Sequence, residues 1–143
     1  MKRIIVAISL LITSVTSGFT MDSLKQLQWN KRILVLFAEA ENPKLKQQLD
    51  LLTAKTADLA DRDMVVLHVT AKDAKIIYGD AGHPDARKLR VEAGIDGSEF
   101  TAILIGKDGG EKLRSDKVVG DREIFDLIDS MPMRRAGQKQ FGS

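Results

Sequence analysis

The stretch FTAILIGKDGGEKLR, residues 100–114, decides the fold. Residues 100–105 are almost all apolar, which predicts a buried strand. The next five residues, GKDGG, contain an Asp-Gly pair, which is typical of hairpin turns that need a positive φ. Residues 111–114 then predict a short strand antiparallel to the first. The stretch is therefore a predicted β-hairpin, and the rest of the chain must supply the sheet that it joins.

Two earlier apolar runs, residues 33–37 and 64–69, predict strands buried on both faces of a sheet. Between them, leucines recur at helical spacing over residues 43–60, and Pro43 suits the first helical turn. A strand, a helix and a strand in this order predict a parallel pair with a right-handed connection.

Three residues before the first strand are predicted to mark its beginning. Lys31 and Arg32 are expected to be solvated. Trp29 is expected to pack over the end of the sheet, and a ligand-stacking role for it is the alternative.

The segment 70–83 is harder to interpret, because residues 76–78 fit either a short edge strand or a helical turn. Pro84 is predicted to begin a second helix, with Gly94 as its left-handed C-cap. A last helix is predicted to begin near Asp121 and to end before Pro132.

The predicted order is β-α-β-α-β-β-α. It places the chain in the α/β fold class, with a thioredoxin-like, mixed four-stranded sheet flanked by helices. The length of 143 residues fits one domain, predicted over residues 22–131. Residues 132–143 contain basic but no acidic side chains and are predicted to form a flexible tail.

The first 20 residues have the three parts of a secretory signal peptide. MKR at residues 1–3 is basic, residues 4–12 are apolar with one serine, and residues 13–20 are small or polar. The apolar run is too short to span a membrane. We expect residues 1–18 to be a signal peptide, cleaved near residues 17–20, and the protein to be periplasmic or secreted. The alternative is a buried N-terminal strand.

Charge and cysteine content exclude two classes of function. Lys2 and Arg3 account for two of the 22 basic residues, so the chain after the signal has 20 basic and 20 acidic residues. A balanced charge and few aromatic residues argue against a nucleic-acid groove. The chain has no cysteine. Thiol redox and peroxidase chemistry are therefore excluded, because both need a thiolate.

Four charged residues are the candidate binding residues: Arg32, Arg62, Lys107 and Asp108. The turn at residues 107–110 could present a lysine and backbone N–H groups to an anion. The alternative is a hairpin turn whose charges are simply solvated. Arg32 and Arg62, beside the acidic residues of the DRD motif (61–63), could form a site or simply fix the loops by charge-assisted pairing.

The two histidines, His68 and His83, could bind a metal together with Asp80 or Asp85. Their spacing matches no known metal site. We therefore predict no metal, no cofactor and no catalytic residue.

Four stretches resemble one known family: WNKRILVLF (29–37), DRD (61–63), LIGKDGGEKLR (104–114) and IDSMPMRR (128–135). Together they resemble the family called domain of unknown function 4174, over about residues 24–135. This family includes small exported bacterial proteins and is similar to the terminal domains of sushi-repeat-containing matrix proteins of animals.

The resemblance implies a thioredoxin-like, peroxiredoxin-related fold without an assigned activity. The sequence departs from working thioredoxin-like enzymes at two places. Residues 38–44, where such enzymes hold reactive cysteines, have none, and residues 97–99 lack the proline that such enzymes commonly hold in cis.

We therefore expect an exported, non-enzymatic module that binds a protein or a small ligand. One alternative is an enzyme with thiol-independent chemistry at the carboxyl ends of the first two strands, using Arg32 and Arg62. A second alternative is a structural accessory of the cell envelope. The sequence leaves the partner and the oligomeric state open.

Overall fold

Five strands form one mixed sheet, with helices on both faces. The strands are β1 (Arg32–Phe37), β2 (Met64–Val69), β3 (Ala74–Tyr78), β4 (Thr101–Ile105) and β5 (Glu111–Ser115). The helices are α1 (Pro43–Thr53), α2 (Thr56–Asp61), α3 (Ala86–Ala93) and α4 (Asp121–Asp129), preceded by a short 3-10 helix at Asp22–Leu27.

The computed structural model describes residues 21–132 and Arg134. The predicted signal peptide lies outside the described residues, as do residue 133 and residues 135–143 of the predicted tail. Within the described part of the chain, no helix has the length and apolar character that crossing a membrane requires.

The strands are arranged in the order β3-β2-β1-β4-β5. Strand β1 pairs in parallel with β2, with Arg32 opposite Met64, as the strand-helix-strand pattern predicts. Strand β4 pairs with β1 in the antiparallel direction, with Ile33 opposite Ile105, and β5 extends the hairpin. The α/β class and the hairpin are therefore confirmed.

The prediction of four strands is wrong, because residues 74–78 form a fifth strand. Strand β3 pairs antiparallel with β2, and the register shifts between Val66 and Leu67. The strand covers the sheet edge and is only partly buried. A short, half-exposed run lacks the strict alternation that separates a strand from a helical turn.

Alternating residues of the central strands fill two separate cores, because successive side chains of a strand point to opposite faces. Leu34 and Leu36 face one core, together with apolar residues of α1, α2 and α4. Ile33, Val35 and Phe37 face the other core, together with α3 and the 3-10 helix. Strand β1 is fully buried on both faces, as predicted.

The predicted helix over residues 43–60 is two helices. The first of them, α1, begins at Pro43 as predicted. The Asn42 side chain caps α1 by accepting a hydrogen bond from the Lys44 N–H (2.9 Å). It ends at Thr53, whose hydroxyl donates back to the Leu49 carbonyl (2.8 Å), a bond that competes with regular helix geometry.

The two later helices begin within two residues of the predicted positions. Helix α3 starts at Ala86 rather than Pro84, because Asp85 is its N-cap and accepts from the Lys88 N–H (3.0 Å). Gly94 ends α3 with φ of 70°, as predicted for a left-handed cap. Helix α4 begins at Asp121, with Gly120 as its N-cap.

The expectations for Arg32 and Trp29 are wrong. Arg32 is not solvated: it is 2% exposed and is the first residue of β1. Trp29 does not pack over the sheet, because it is 60% exposed, in a left-handed backbone conformation with φ of 72°. The hairpin turn and the two residues Met131 and Pro132, which follow α4, lie beside Arg32, and a sequence pattern that covers only β1 does not reveal them.

Candidate functional site

The four predicted site residues come together at one end of the strands, where β1 and β2 begin and β4 ends. We call this the amino edge. Arg32 begins β1, and Arg62 stands just before β2. Because β4 runs antiparallel to β1, the turn that holds Lys107 and Asp108 reaches the same edge. The expectation that Arg32 and Arg62 lie at the carboxyl ends of these strands is therefore wrong.

Arg62 links helix α2 to helix α4. Its Nη2 and Nε donate to the two carboxylate oxygens of Asp129 (2.8 and 3.1 Å), a bidentate pair. Its Nη1 lies 3.3 Å from Asp58 Oδ1. The guanidinium also lies 4.5 Å from the centre of the Phe125 ring, in cation-π geometry. These contacts fix α2 against α4. This is one of the two roles that the sequence left open for Arg62.

Arg134 reinforces the same link. It forms an ion pair with Asp61 and donates to the Asp61 carbonyl (2.7 Å), and its Nε lies 3.3 Å from Asp129 Oδ1. Burial by itself would raise the pKa of Asp129, but the hydrogen bonds and charges of Arg62 and Arg134 hold it below its usual value. Burial likewise opposes the charge of Arg62, but Asp129 and Asp58 raise its pKa.

Lys107 fastens the hairpin turn to the start of β2. Its Nζ lies 2.7 Å from Asp63 Oδ2. Asp63 has a left-handed φ of 51°, and its carbonyl accepts the Arg32 N–H (3.0 Å). Burial would raise the pKa of Asp63, but the hydrogen bond and charge of Lys107 lower it.

Asp108 is occupied within the hairpin. Its Oδ2 lies 2.8 Å from Lys112 Nζ, and its Oδ1 accepts the Gly110 N–H (2.9 Å). The bond from Lys112 lowers the pKa of Asp108, although burial opposes it. Within the turn, the Gly106 N–H donates to the Gly110 carbonyl (2.9 Å), and Gly109 adopts a φ of 85°, as the Asp-Gly pair predicts.

Arg32 is the exception at the amino edge. Its Nη1 donates to the Arg62 carbonyl (2.8 Å), while its buried Nε has no hydrogen-bond partner among the described residues. None of those residues forms an ion pair with it. Burial, and next the charge of Arg134, lower the pKa of Arg32; the carboxylates of Asp63 and Asp129 act in the opposite direction.

A small cavity of about 50 Å³ lies against Arg32. We call it the Arg32 pocket; its lining consists of Arg32, Gly106, Lys107, Asp108, Lys112, Met131 and Pro132. The volume is comparable with one or two water molecules, at about 30 Å³ for each. An organic substrate is larger than this space.

An open groove lies at the opposite end of the strands, where β1, β2 and β5 end and β4 begins. We call this end the carboxyl edge. It has a volume of about 960 Å³. Its lining consists of residues 94–99, Thr101 and residues 114–117, and we call it the carboxyl-edge groove. None of the four predicted site residues lies in it. The only sequence signal for it was the polar loop IDGSE at residues 95–99, which is typical of a connection.

Hydrogen bonds hold the backbone that lines the carboxyl-edge groove. Arg90 donates to the Gly97 carbonyl (3.1 Å), and Arg114 donates to the Ala93 carbonyl (3.0 Å). Shortly after the last lining residue, the backbone of Val119 exchanges two bonds with buried Gln48, which accepts from the Val119 N–H (2.8 Å) and donates to its carbonyl (2.9 Å). The sequence did not single out Gln48, which looks like any polar helix residue.

The histidines have separate surroundings. His68 is buried in β2, with its Nε2 2.8 Å from the Ala38 carbonyl oxygen. His83 is exposed, in the loop before α3. Across residues 21–132 and Arg134, no three histidine, aspartate or glutamate side chains are grouped so that they could hold a metal ion.

The described residues form a mixed α/β domain with a buried arginine that has no ion-pair partner among them, and with an open groove at the carboxyl edge. The sequence model of the family described as Domain of unknown function (DUF4174) matches residues 23–137. The chain belongs to this family. No curated protein matches it.

Proposed function

We propose that this protein is an exported, cysteine-free, thioredoxin-like domain that binds a partner through the carboxyl-edge groove. The observation that carries the proposal is the position of this groove. It is an open space of ligand size beside the loop that precedes β4 and beside the end of β5. The function is binding, because the chain supplies no thiolate for redox chemistry at this edge.

The strand arrangement supports the thioredoxin-like part of the proposal. Four neighbouring strands have the order β2-β1-β4-β5, with one parallel pair followed by two antiparallel pairs. Helices α1 and α2 form the connection between the parallel strands, and α3 leads into the hairpin. Strand β3 is an addition at the outer edge of this arrangement.

The groove borders one of the two places where thioredoxin-like enzymes hold functional residues: residues 97–99 line it, whereas the loop after β1 does not. The loop after β1 holds no cysteine, and residues 97–99, just before β4, hold no proline. No peptide bond among the described residues is cis. A binding surface can persist at such an edge without the thiol chemistry, since backbone and polar groups that line a groove are sufficient for recognition.

The enzymatic alternative, with chemistry that uses Arg32 and Arg62, has less support. Arg62 is committed to Asp129 and Asp58, and Lys107 to Asp63. The cavity beside Arg32 is too small for an organic substrate. The second alternative, a structural accessory of the cell envelope, is consistent with the same groove and differs from the proposal only in the partner.

Export is tested by expressing the full chain with a C-terminal tag in a Gram-negative bacterium and fractionating the cells. We expect the protein in the periplasmic or secreted fraction, with a new N-terminus near residues 17–20 by mass spectrometry. An intact N-terminus in the cytoplasmic fraction would contradict the proposal.

Binding is tested by chemical cross-linking and affinity capture with Gly97→Trp, which fills the groove. A Cβ at Gly97 meets no atom within 4 Å, and its φ is not in the left-handed range, so the fold tolerates the change. Gln47→Trp, on the exposed face of α1, is the matched control. We expect the unchanged chain and the control to capture the same partner and Gly97→Trp to lose it. Equal capture by all three would refute a role for the groove.

The enzymatic alternative is tested separately, by assaying the purified chain for turnover of peroxide, disulfides and small ester or phosphoester substrates. We expect no turnover above the buffer rate. Turnover that is lost in Arg32→Ala or Lys107→Ala would establish the alternative in place of the proposal.

A further inference from the structure

We propose that the Arg32 pocket binds one small monovalent anion of halide size. This inference concerns the amino edge and is independent of partner binding in the groove. Arg32 is 2% exposed, lines this pocket, and keeps a buried Nε donor that has no hydrogen-bond partner among the described residues.

A buried donor without a partner is costly, by about 1–3 kcal/mol, and more when the group is charged. Among the described residues, the Arg32 guanidinium donates to the Arg62 carbonyl, a neutral acceptor. A buried charge is normally paired with an opposite charge or coordinated. Since no described carboxylate forms an ion pair with Arg32, the missing negative charge is one that a ligand can supply.

The pocket as a whole is cationic. Three of its lining residues are basic (Arg32, Lys107 and Lys112) and one is acidic (Asp108). Lys112 is paired with Asp108, and Lys107 with Asp63 outside the lining, whereas Arg32 has no ion-pair partner among the described residues. Of the nearby carboxylates, Asp129 is already shared by Arg62 and Arg134.

The shape of the pocket selects a small, weakly hydrated ion. The cavity of about 50 Å³ has room for a single chloride or bromide. Met131 and Pro132 form an apolar part of the wall. An apolar wall lowers the local dielectric response, and it therefore strengthens the attraction between a bound anion and Arg32.

Diffraction from crystals of the full chain soaked in sodium bromide tests the proposal without any substitution. We expect an anomalous bromide peak in the Arg32 pocket, within hydrogen-bonding distance of the Arg32 guanidinium. A water molecule there, without anomalous signal, would overturn the proposal.

Chloride NMR linewidths measure the same binding in solution. We expect excess broadening with the unchanged chain and with Lys88→Met, an exposed cation on α3, and at least about tenfold weaker binding in Arg32→Met. Asp108→Asn is a second test, and its result does not depend on whether Arg32→Met folds. It removes the one negative charge of the lining and frees Lys112, so we expect it to bind chloride about tenfold more tightly.

A role for Arg32 in stability alone would not produce a gain of affinity in Asp108→Asn. Equal linewidths for that variant and the unchanged chain would therefore overturn the proposal. A bromide peak in the crystal without excess broadening in solution would mean binding at crystal concentration only, and it would also overturn the proposal.

Discussion

The two edges of the sheet differ in how their polar groups are used. At the amino edge, Arg62, Lys107 and Arg134 each have a carboxylate partner, and the space that remains is about 50 Å³. At the carboxyl edge, loops with few charged pairs border a groove of about 960 Å³. The charged motifs that are most conspicuous in the sequence therefore stabilise the fold, whereas the room for a partner lies beside a plain polar loop.

The largest expected effect on stability comes from Gln48, which ties α1 to the loop beside the groove. Gln48→Leu leaves the N–H and the carbonyl of Val119 without their partners. We expect the free energy of unfolding to fall by about 3 kcal/mol, because both groups are buried. Urea denaturation measures the change, with Gln47→Leu on the exposed face as control. A change below about 1 kcal/mol for Gln48→Leu would show that water replaces these bonds.

The second-largest effect is expected at the amino edge, where ion pairs of Asp129 link α2 to α4. We call these pairs the clamp. Asp129→Asn removes the charge that Arg62 and Arg134 share. We expect a loss of about 1.5 kcal/mol, typical of a charge-assisted hydrogen bond. Asp126→Asn, an exposed neighbour on α4, is the control and should change the urea midpoint little. Equal midpoints for the two variants would mean that the clamp contributes nothing.

The same carboxylates predict how stability depends on pH. The folded pKa values of Asp63, Asp108 and Asp129 lie below their ordinary values. Their contribution is therefore present above the unfolded pKa of about 4 and is lost as the pH falls through the lower folded values. We expect urea midpoints to be level from pH 7 to pH 5 and to fall below about pH 4. Asp129→Asn should show a smaller acid loss than the unchanged chain; an identical loss would contradict the assignment.

The smallest effect is expected in the hairpin turn. Lys112 and Asp108 form an ion pair, but both side chains are about a third or more exposed. Lys112→Gln should change the free energy of unfolding by no more than about 0.5 kcal/mol, since solvent screens such pairs. A loss as large as that of Asp129→Asn would place the turn in the clamp as well.

The sequence predicts much of the fold, because its signals are local. Buried parallel strands appear as continuous apolar runs, and Asp108 and Gly109 mark the hairpin turn. Strand β3 was ambiguous because it is short and half-exposed. The break after Thr53 was missed because the leucine spacing continues across it.

The site was predicted only in part. Charge alone singled out Arg32, Arg62, Lys107 and Asp108, and the antiparallel run of β4 does bring them to one edge. The burial of Arg32 depends on the hairpin turn and on the segment after α4, which are distant in sequence. The groove is built from backbone held by Arg90, Arg114 and Gln48, and such long-range bonds leave no local pattern.

One measurement tests the division between the two edges most directly: partner capture and urea denaturation of Gly97→Trp and Arg62→Met side by side. We expect Gly97→Trp to lose the partner and keep the urea midpoint, because its side chain fills the groove without a clash. We expect Arg62→Met to keep the partner and lower the midpoint, because it breaks the link between α2 and α4. The reverse result, with capture lost only in Arg62→Met at an unchanged midpoint, would place the binding site at the amino edge and contradict the account.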